Sequence, residues 1–299
     1  MLSIIIPFHN EKENLSILAE ELKTSLDKLN EVYEIIFIDD GSTDNGGQAV
    51  RELSQKNKEI RLILNKKRFG KGESLAKGIL DAKGDTIAFM DADLQDDPAD
   101  ISKFMTKLNE GYDLVNGIRV TRKENFIIKF YSKLGNSFLR FFVQSPFSDI
   151  NCGFKVFKKE ILKENTLYGN NFRFLPLAAY YTGFKVTEVK VNNRLRKYGK
   201  SKFGITKPFI GLIDTVTAYF LYRFSEKPLH FFGVIGGTSF SIGFIIALVL
   251  SYERIFYGIL LYRRPALLFS ILLIIVGIQI VMTGMIGELI VYLNKKKVS

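Results

Sequence analysis

Two uncharged apolar stretches constrain this chain more than any other feature. They run Phe231–Tyr252 and Ala266–Gly287, and each is 22 residues long. At a helical rise of ~1.5 Å per residue such a stretch reaches about 33 Å, enough to cross a bilayer core. The alternative is a pair of buried core helices, but those normally carry a polar stripe. The second stretch continues past Glu288 to Leu293. Charged residues run throughout positions 1–228 and become sparse beyond. The total hydrophobic content, 47%, is ordinary, so the uneven distribution carries the signal. The expectation is a globular region followed by a membrane hairpin with spans near 231–252 and 266–293.

Basic residues suggest an orientation. Lys207, Arg223, Lys227, Lys295, Lys296 and Lys297 flank the hairpin on the terminal side, against Arg254, Arg263 and Arg264 in the connecting loop. That excess favours both termini in the cytosol. The opening run Leu2–Ile6 is short, ends at Pro7 and follows no basic region, so it does not read as a signal peptide. The first 228 residues are therefore expected to stay in the cytosol, against the plasma (inner) membrane. The single cysteine, Cys152, excludes an intramolecular disulfide and agrees with a reducing compartment. The net charge of +11 calls for an anionic partner. With two candidate spans and no nucleic-acid module, that partner is the membrane surface or an anionic substrate.

Residues 1 to about 120 alternate strand and helix. Leu2–Pro7, Tyr33–Ile38, Ile60–Leu64, Thr86–Met90 and Leu114–Gly117 read as strands. Glu11–Asn30, Asp44–Lys56, Gly72–Ala82 and Pro98–Asn109 read as helices, the first with Leu15, Leu18, Leu22, Leu26 and Leu29 on one face. This rhythm predicts an α/β domain with a mostly parallel sheet, in which ligands bind at the carboxyl ends of the strands. Residues 125–200 are less regular, with a helix-period stretch at Phe126–Val143 and strands at Gly153–Phe157 and Lys185–Val191. Ile205–Phe224 is amphipathic, with Phe209, Ile213, Val216, Phe220 and Phe224. It either lies in the membrane interface or packs on the globular domain. The expected division is 1–204, a globular α/β domain; 205–228, amphipathic; 229–299, hairpin.

The sharpest chemical feature is Asp91-Ala92-Asp93-Leu94-Gln95 after the fourth strand. In an extended segment these alternate positions point one way, bringing two carboxylates and an amide oxygen together. Two close carboxylates repel unless a cation sits between them, and oxygen ligands suit Mg²⁺ or Mn²⁺. The other reading is a solvated acidic loop that Asp96, Asp97 and Asp100 merely continue.

Companion segments sit at other strand ends: Pro7-Phe8-His9-Asn10-Glu11 after the first, and Asp39-Asp40-Gly41-Ser42-Thr43-Asp44 after the second. Together, in this order, the three resemble family 2 glycosyltransferases of the GT-A fold. Nearly the whole chain is similar to that family's polyprenyl-phosphate branch, which includes dolichol-phosphate mannose synthase and bacterial undecaprenyl-phosphate glucosyl and aminoarabinosyl transferases. The resemblance implies transfer of one sugar from a UDP- or GDP-linked donor to a polyprenyl phosphate. It implies that Pro7, Glu11 and Asp40 face the nucleoside, with Asp39 sharing that role or bracing the loop. Asp91, Asp93 and Gln95 would hold the metal, Asp91 also meeting the donor. His9 stands where the family usually has Tyr. Gly70 and Lys71 lie near the donor loop, at a helix N-terminus that favours phosphate.

For the acceptor, Gly117-Ile118-Arg119 matches the family's G-x-R, which implies that Arg119 meets the lipid phosphate. Lys133 and Ser137 fall where relatives place a basic residue and a hydroxyl. Arg196 to Phe203 matches R-x-x-G-x-S-K-aromatic, adding Arg196 and Lys202 to the phosphate set. Asp149, in a segment resembling D-x-x-x-G-F, would be the general base. A lipid monophosphate with a second pKa of about 6 is already largely dianionic, however, so Asp149 could instead orient a basic residue. Resemblance also implies a homo-oligomer, a tetramer. Two rivals stand beside this reading. One is a glycan-extending synthase, which usually has more spans and a Q-x-x-R-W segment, whereas this chain has no Trp. The other is a membrane scaffold that has lost catalysis. Glu288, late in the second span, needs a partner and is expected at the cytosolic interface near Lys295.

Overall fold

A computed structural model describes residues 1–119, 146–164, 171–195, 226–262 and 264–298, with a few positions between 214 and 224. The chain divides into two compact units, Met1–Thr215 and Val216–Ser299.

The first unit is built on seven strands: β1 (Leu2–Phe8), β2 (Tyr33–Asp39), β3 (Ile60–Leu64), β4 (Thr86–Phe89), β5 (Leu114–Arg119), β6 (Lys155–Lys158) and β7 (Val186–Val191). Their order in the sheet is β3-β2-β1-β4-β6-β5-β7. All neighbours pair in parallel except β6, which runs antiparallel between β4 and β5. Every residue of β1 is buried, as befits a central parallel strand covered on both faces. Alternation sorts its side chains: Ile4 and Ile6 join one core, Ile5 the other.

Helices α1 (Lys12–Leu26), α2 (Gly46–Lys56), α3 (Lys71–Asp81), α4 (Ile101–Asn109) and α5 (Leu175–Tyr181) cover the sheet. Leu15, Leu18 and Leu22 of α1 pack with Phe104 of α4 against one face. Leu75 and Ile79 of α3 pack with Leu175 of α5 against the other. Helix α3 lies close to the sheet because Gly78 has no side chain; a Cβ there would fall 2.5 Å from Ile38 and 2.6 Å from Ile5. The expected elements of residues 1–120 are all present, with shifted ends. The helix that Asp44 is expected to cap begins at Gly46, whose N–H is accepted by Asp44 Oδ1 at 2.9 Å. The other Asp44 oxygen accepts the Lys12 N–H, so one carboxylate caps both α1 and α2.

In the second unit, α6 (Pro228–Tyr257) and α7 (Pro265–Val298) are long and apolar enough to cross a membrane. Only 17% and 11% of their most apolar windows are buried, unlike core helices. They form a close pair: a Cβ at Gly236 would fall 2.6 Å from the Gly277 carbonyl, and one at Gly243 2.7 Å from that of Ser270. Such close approach through small residues suits helices packed in lipid. Glu288 accepts the Leu229 N–H at 3.2 Å, capping the first turn of α6. Lys295 pairs instead with Glu226. The stretch 126–143 and most of 205–228 lie outside the described residues.

Candidate active site

Among the described residues, those singled out in the first unit lie at or just beyond the carboxyl ends of the strands. Asp39 ends β2, and its Oδ1 accepts the Ser42 N–H at 2.7 Å, bracing the loop that follows. Asn10, just after β1, bonds across to that loop through Ser42 and Thr43. His9 Nδ1 lies 2.9 Å from the Asp40 carbonyl, and Glu11 accepts the Asn14 amide. Pro7 is buried within β1 itself.

Asp40 is buried and faces the loop entering α3. Its oxygens accept the N–H groups of Phe69 and Gly70 at 2.8 and 2.9 Å, and Asn65 adds its amide. Burial opposes its charge, but those donors hold its carboxyl below the usual range. Gly70 adopts φ +100°, a backbone conformation open to glycine, with open space where a Cβ would stand. Lys71 follows, and its ammonium pairs with Asp91 while lying 5.0 Å over the Phe172 ring.

The segment after β4 corrects one expectation. Asp91, Asp93 and Gln95 do not project alternately from an extended chain; the chain turns, with Leu94 at φ +59°. Asp93 Oδ1 accepts the Gln95 N–H at 3.2 Å, a local bond that favours the turn over a strand. Asp93 is buried, whereas the Asp91 side chain keeps 38% of its surface open to a ligand. Asp96, which the alternative reading of a solvated acidic loop would expose, is buried and pairs with Asn193 in an isolated β-bridge. Burial, then the charges of Asp91 and Asp93, push its pKa up to about 7. Asp91 itself is held low: burial opposes its charge, but Lys71 outweighs it.

Three carboxylates and one ammonium thus share the end of β4. Among the described residues no group of three or more His, Cys, Asp or Glu side chains is placed to hold a metal ion, so a cation here would rest on fewer protein ligands. An open oxygen set with a carboxylate excess fits Mg²⁺ or Mn²⁺, which take few protein ligands and complete their shell with water and substrate phosphate. Gly153 leaves room at Asp91, where a Cβ would fall 2.6 Å from Oδ2.

Beside this cluster, Arg119 ends β5 and meets Asp149 through two bonds, Nε to Oδ2 at 2.8 Å and Nη2 to Oδ1 at 3.0 Å. Burial works against the guanidinium charge, but Asp149 more than offsets it and raises its pKa. Arg119 also acts electrostatically on Asp91 and Asp96. Lys155, fully buried on β6, donates to the carbonyls of Ile150 and Cys152; burial pushes its pKa down to about 8. Cys152 is buried and its thiol is pushed up to about 12, mainly by burial, so it is no nucleophile. Beyond β7, Arg194 donates its N–H to the Gln95 carbonyl and its guanidinium to Asp97 and Glu21. Lys133, Ser137, Arg196 and Lys202 lie outside the described residues.

The sequence pattern assigns no site role to Asp96, Asn116, Lys155 or Glu188. Each is a polar residue in a segment that reads as strand or acidic loop, and only the fold shows which way it points.

The match to the family described as Glycosyl transferase family 2 covers residues 3–166. The dodecaprenyl-phosphate galacturonate synthase of Rhizobium johnstonii is 30% identical over 294 residues, 97% of this chain and 87% of that one. The undecaprenyl-phosphate 4-deoxy-4-formamido-L-arabinose transferase of Proteus mirabilis is 30% identical over 96% of this chain and 87% of its own. Among solved structures, glucosyl-3-phosphoglycerate synthase from Mycobacterium tuberculosis, in complex with Mn²⁺, uridine diphosphate and phosphoglyceric acid, superposes with a TM-score of 0.58. It covers 74% of this chain and 78% of that one at 16% identity, a likeness of fold.

Proposed function

The chain belongs to glycosyl transferase family 2, and from that premise we propose that it moves a single sugar from a UDP- or GDP-linked donor to a polyprenyl phosphate at the cytosolic face of the plasma membrane. The observation that carries this reading is the juxtaposition beyond the carboxyl ends of β4 and β5. An acidic cluster with an open carboxylate, Asp91, lies within electrostatic reach of a cation, Arg119, that a carboxylate holds in place. The first suits a donor diphosphate with its metal; the second suits an acceptor phosphate. The named relatives support the acceptor class, since their likeness runs through both apolar helices as well as the globular domain.

Pro7, Glu11, Asp39 and Asp40 form the nucleoside side of this site, and Gly70 and Lys71 receive the diphosphate at the start of α3. Asp91, Asp93 and Gln95 would hold Mg²⁺ or Mn²⁺, which when bound neutralises the leaving nucleoside diphosphate. Arg119, with Lys133, Ser137, Arg196 and Lys202, binds the lipid phosphate on the opposite face of the sugar. A lipid monophosphate with a second pKa of about 6 is nucleophilic without help. Asp149 therefore orients Arg119 rather than removing a proton. One displacement inverts the anomeric centre. The hairpin crosses the membrane with both termini cytosolic.

The test is turnover by the detergent-solubilised full chain with undecaprenyl phosphate, Mg²⁺ or Mn²⁺, and a panel of nucleotide sugars. One donor should yield a chloroform-soluble glycolipid, abolished by EDTA and by Asp93→Ala. Product from no donor, or undiminished turnover in Asp93→Ala, would overturn the reading or its metal assignment respectively.

A further inference from the structure

Glu188 lies on β7, the edge strand, directly opposite Asn116 of β5 in register. On an edge strand of sequence Val-Thr-Glu-Val-Lys-Val, a glutamate side chain would ordinarily be solvated. Instead its carboxylate accepts three N–H groups from one neighbourhood. Oε2 takes the Ser148 N–H at 2.8 Å; Oε1 takes the Asp149 N–H at 3.3 Å and the Asn116 amide at 3.1 Å. Asn116, fully buried, donates in turn to the Asp149 carbonyl at 3.0 Å. The backbone on both sides of Asp149 is thereby fixed to β5 and β7. On the far side of the same loop, Lys155 holds the Ile150 and Cys152 carbonyls.

We propose that Glu188 is a positioning residue for the transfer: it sets the backbone of Asp149 so that both Asp149 oxygens hold Arg119 toward the acceptor phosphate. This rests on the function proposed above. A two-point guanidinium–carboxylate contact tolerates little displacement of either partner. Arg119 comes from the end of a strand, so its base is fixed by the sheet. Asp149 comes from a loop, and Glu188 supplies the rigidity the loop lacks. Glutamine at this position keeps the shape but replaces one acceptor oxygen with an NH₂ group. That group must face N–H donors, so at least one of the three bonds is lost.

The experiment compares the full-length wild type with Glu188→Gln, using a donor that supports turnover. The acceptor KM should rise about tenfold or more, the loss of a bond to a charged group. The donor KM should stay near wild type while the melting midpoint falls by no more than about 5–10 °C, well short of unfolding at assay temperature; general destabilisation would raise both KM values together. Combined with Asp149→Asn, the second change should add nothing, because both act through one contact. An unchanged acceptor KM in Glu188→Gln, or effects that multiply in the double variant, would overturn the proposal. If Glu188→Gln does not fold, Glu188→Asp keeps the charge but withdraws it by one methylene; a folded Glu188→Asp with wild-type acceptor KM would overturn it equally. Absence of transfer to polyprenyl phosphate by the wild type would strike the underlying reading instead.

Discussion

Gly153→Ala adds one methyl group where the active site has no room for it. Gly153 is not in the left-handed region, so alanine suits its backbone and the effect is purely one of contact. The new Cβ would stand 2.6 Å from Asp91 Oδ2 and 3.1 Å from its Cγ. That is about 1 Å short of a normal non-bonded separation. The side chain can escape by rotating, because its surface is partly open, but rotation takes the carboxylate off Lys71. The pair is half-exposed, and exposed pairs contribute about 0–1 kcal/mol, so its loss costs little stability. Residual crowding adds at most about 1–3 kcal/mol, and a unit of this size loses ~2–4 °C of melting temperature per kcal/mol. The chemical effect is larger, since a misplacement of ~1 Å costs on the order of a hundredfold in rate. Glycolipid synthesis should show kcat/KM for the donor lowered by about that factor in a protein that still folds. Wild-type kcat/KM in Gly153→Ala would refute the claim that the position of Asp91 governs donor use.

Two further predictions concern stability and pH. Glu34 is buried at the opposite end of β2, where it accepts Ser3 Oγ, the Lys83 N–H and the Arg61 guanidinium. Glu34→Ala should cost about 3 kcal/mol by thermal or chemical denaturation without changing KM for either substrate. Burial opposes the Glu34 charge, but its partners hold the carboxyl below the usual range. Its contribution is thus complete above an unfolded value of about 4.3 and fades as pH falls through the lower folded one, and the variant should lose that acid-limb dependence. Asp96 has the opposite sign: with its folded pKa pushed up to about 7, its stabilising protonation is full below about 3.9 and lost as pH rises through 7. Without divalent cation, Asp96→Asn should gain stability over wild type progressively between about pH 4 and 7 and level off above that. A gap constant across that range would contradict the assigned environment.

The legible parts of this protein were those written in short-range pattern. Continuous apolar runs gave the parallel strands, leucine spacing gave α1, and the length of two uncharged stretches gave the hairpin helices. The antiparallel β6, inserted between β4 and β5, is a matter of long-range pairing that no local pattern encodes. At the site, the strand-end motifs located Asp40, Asp91 and Asp93, but local geometry was misjudged where a side chain bonds its own backbone. Asp93 accepts the Gln95 N–H and turns a segment that alternation would have left extended. The burial of Asp96 and the contacts of Glu188 have no local signature, because Asn193 and Ser148, which meet them, are 97 and 40 residues away.

The most direct test of the central claim is product analysis by mass spectrometry with the purified full chain, undecaprenyl phosphate and an active nucleotide-sugar donor. The expected lipid carries one sugar on a monophosphate, with one nucleoside diphosphate released per product. Release of nucleoside monophosphate with a pyrophosphate-linked lipid, addition of several sugars, or no lipid product would contradict it.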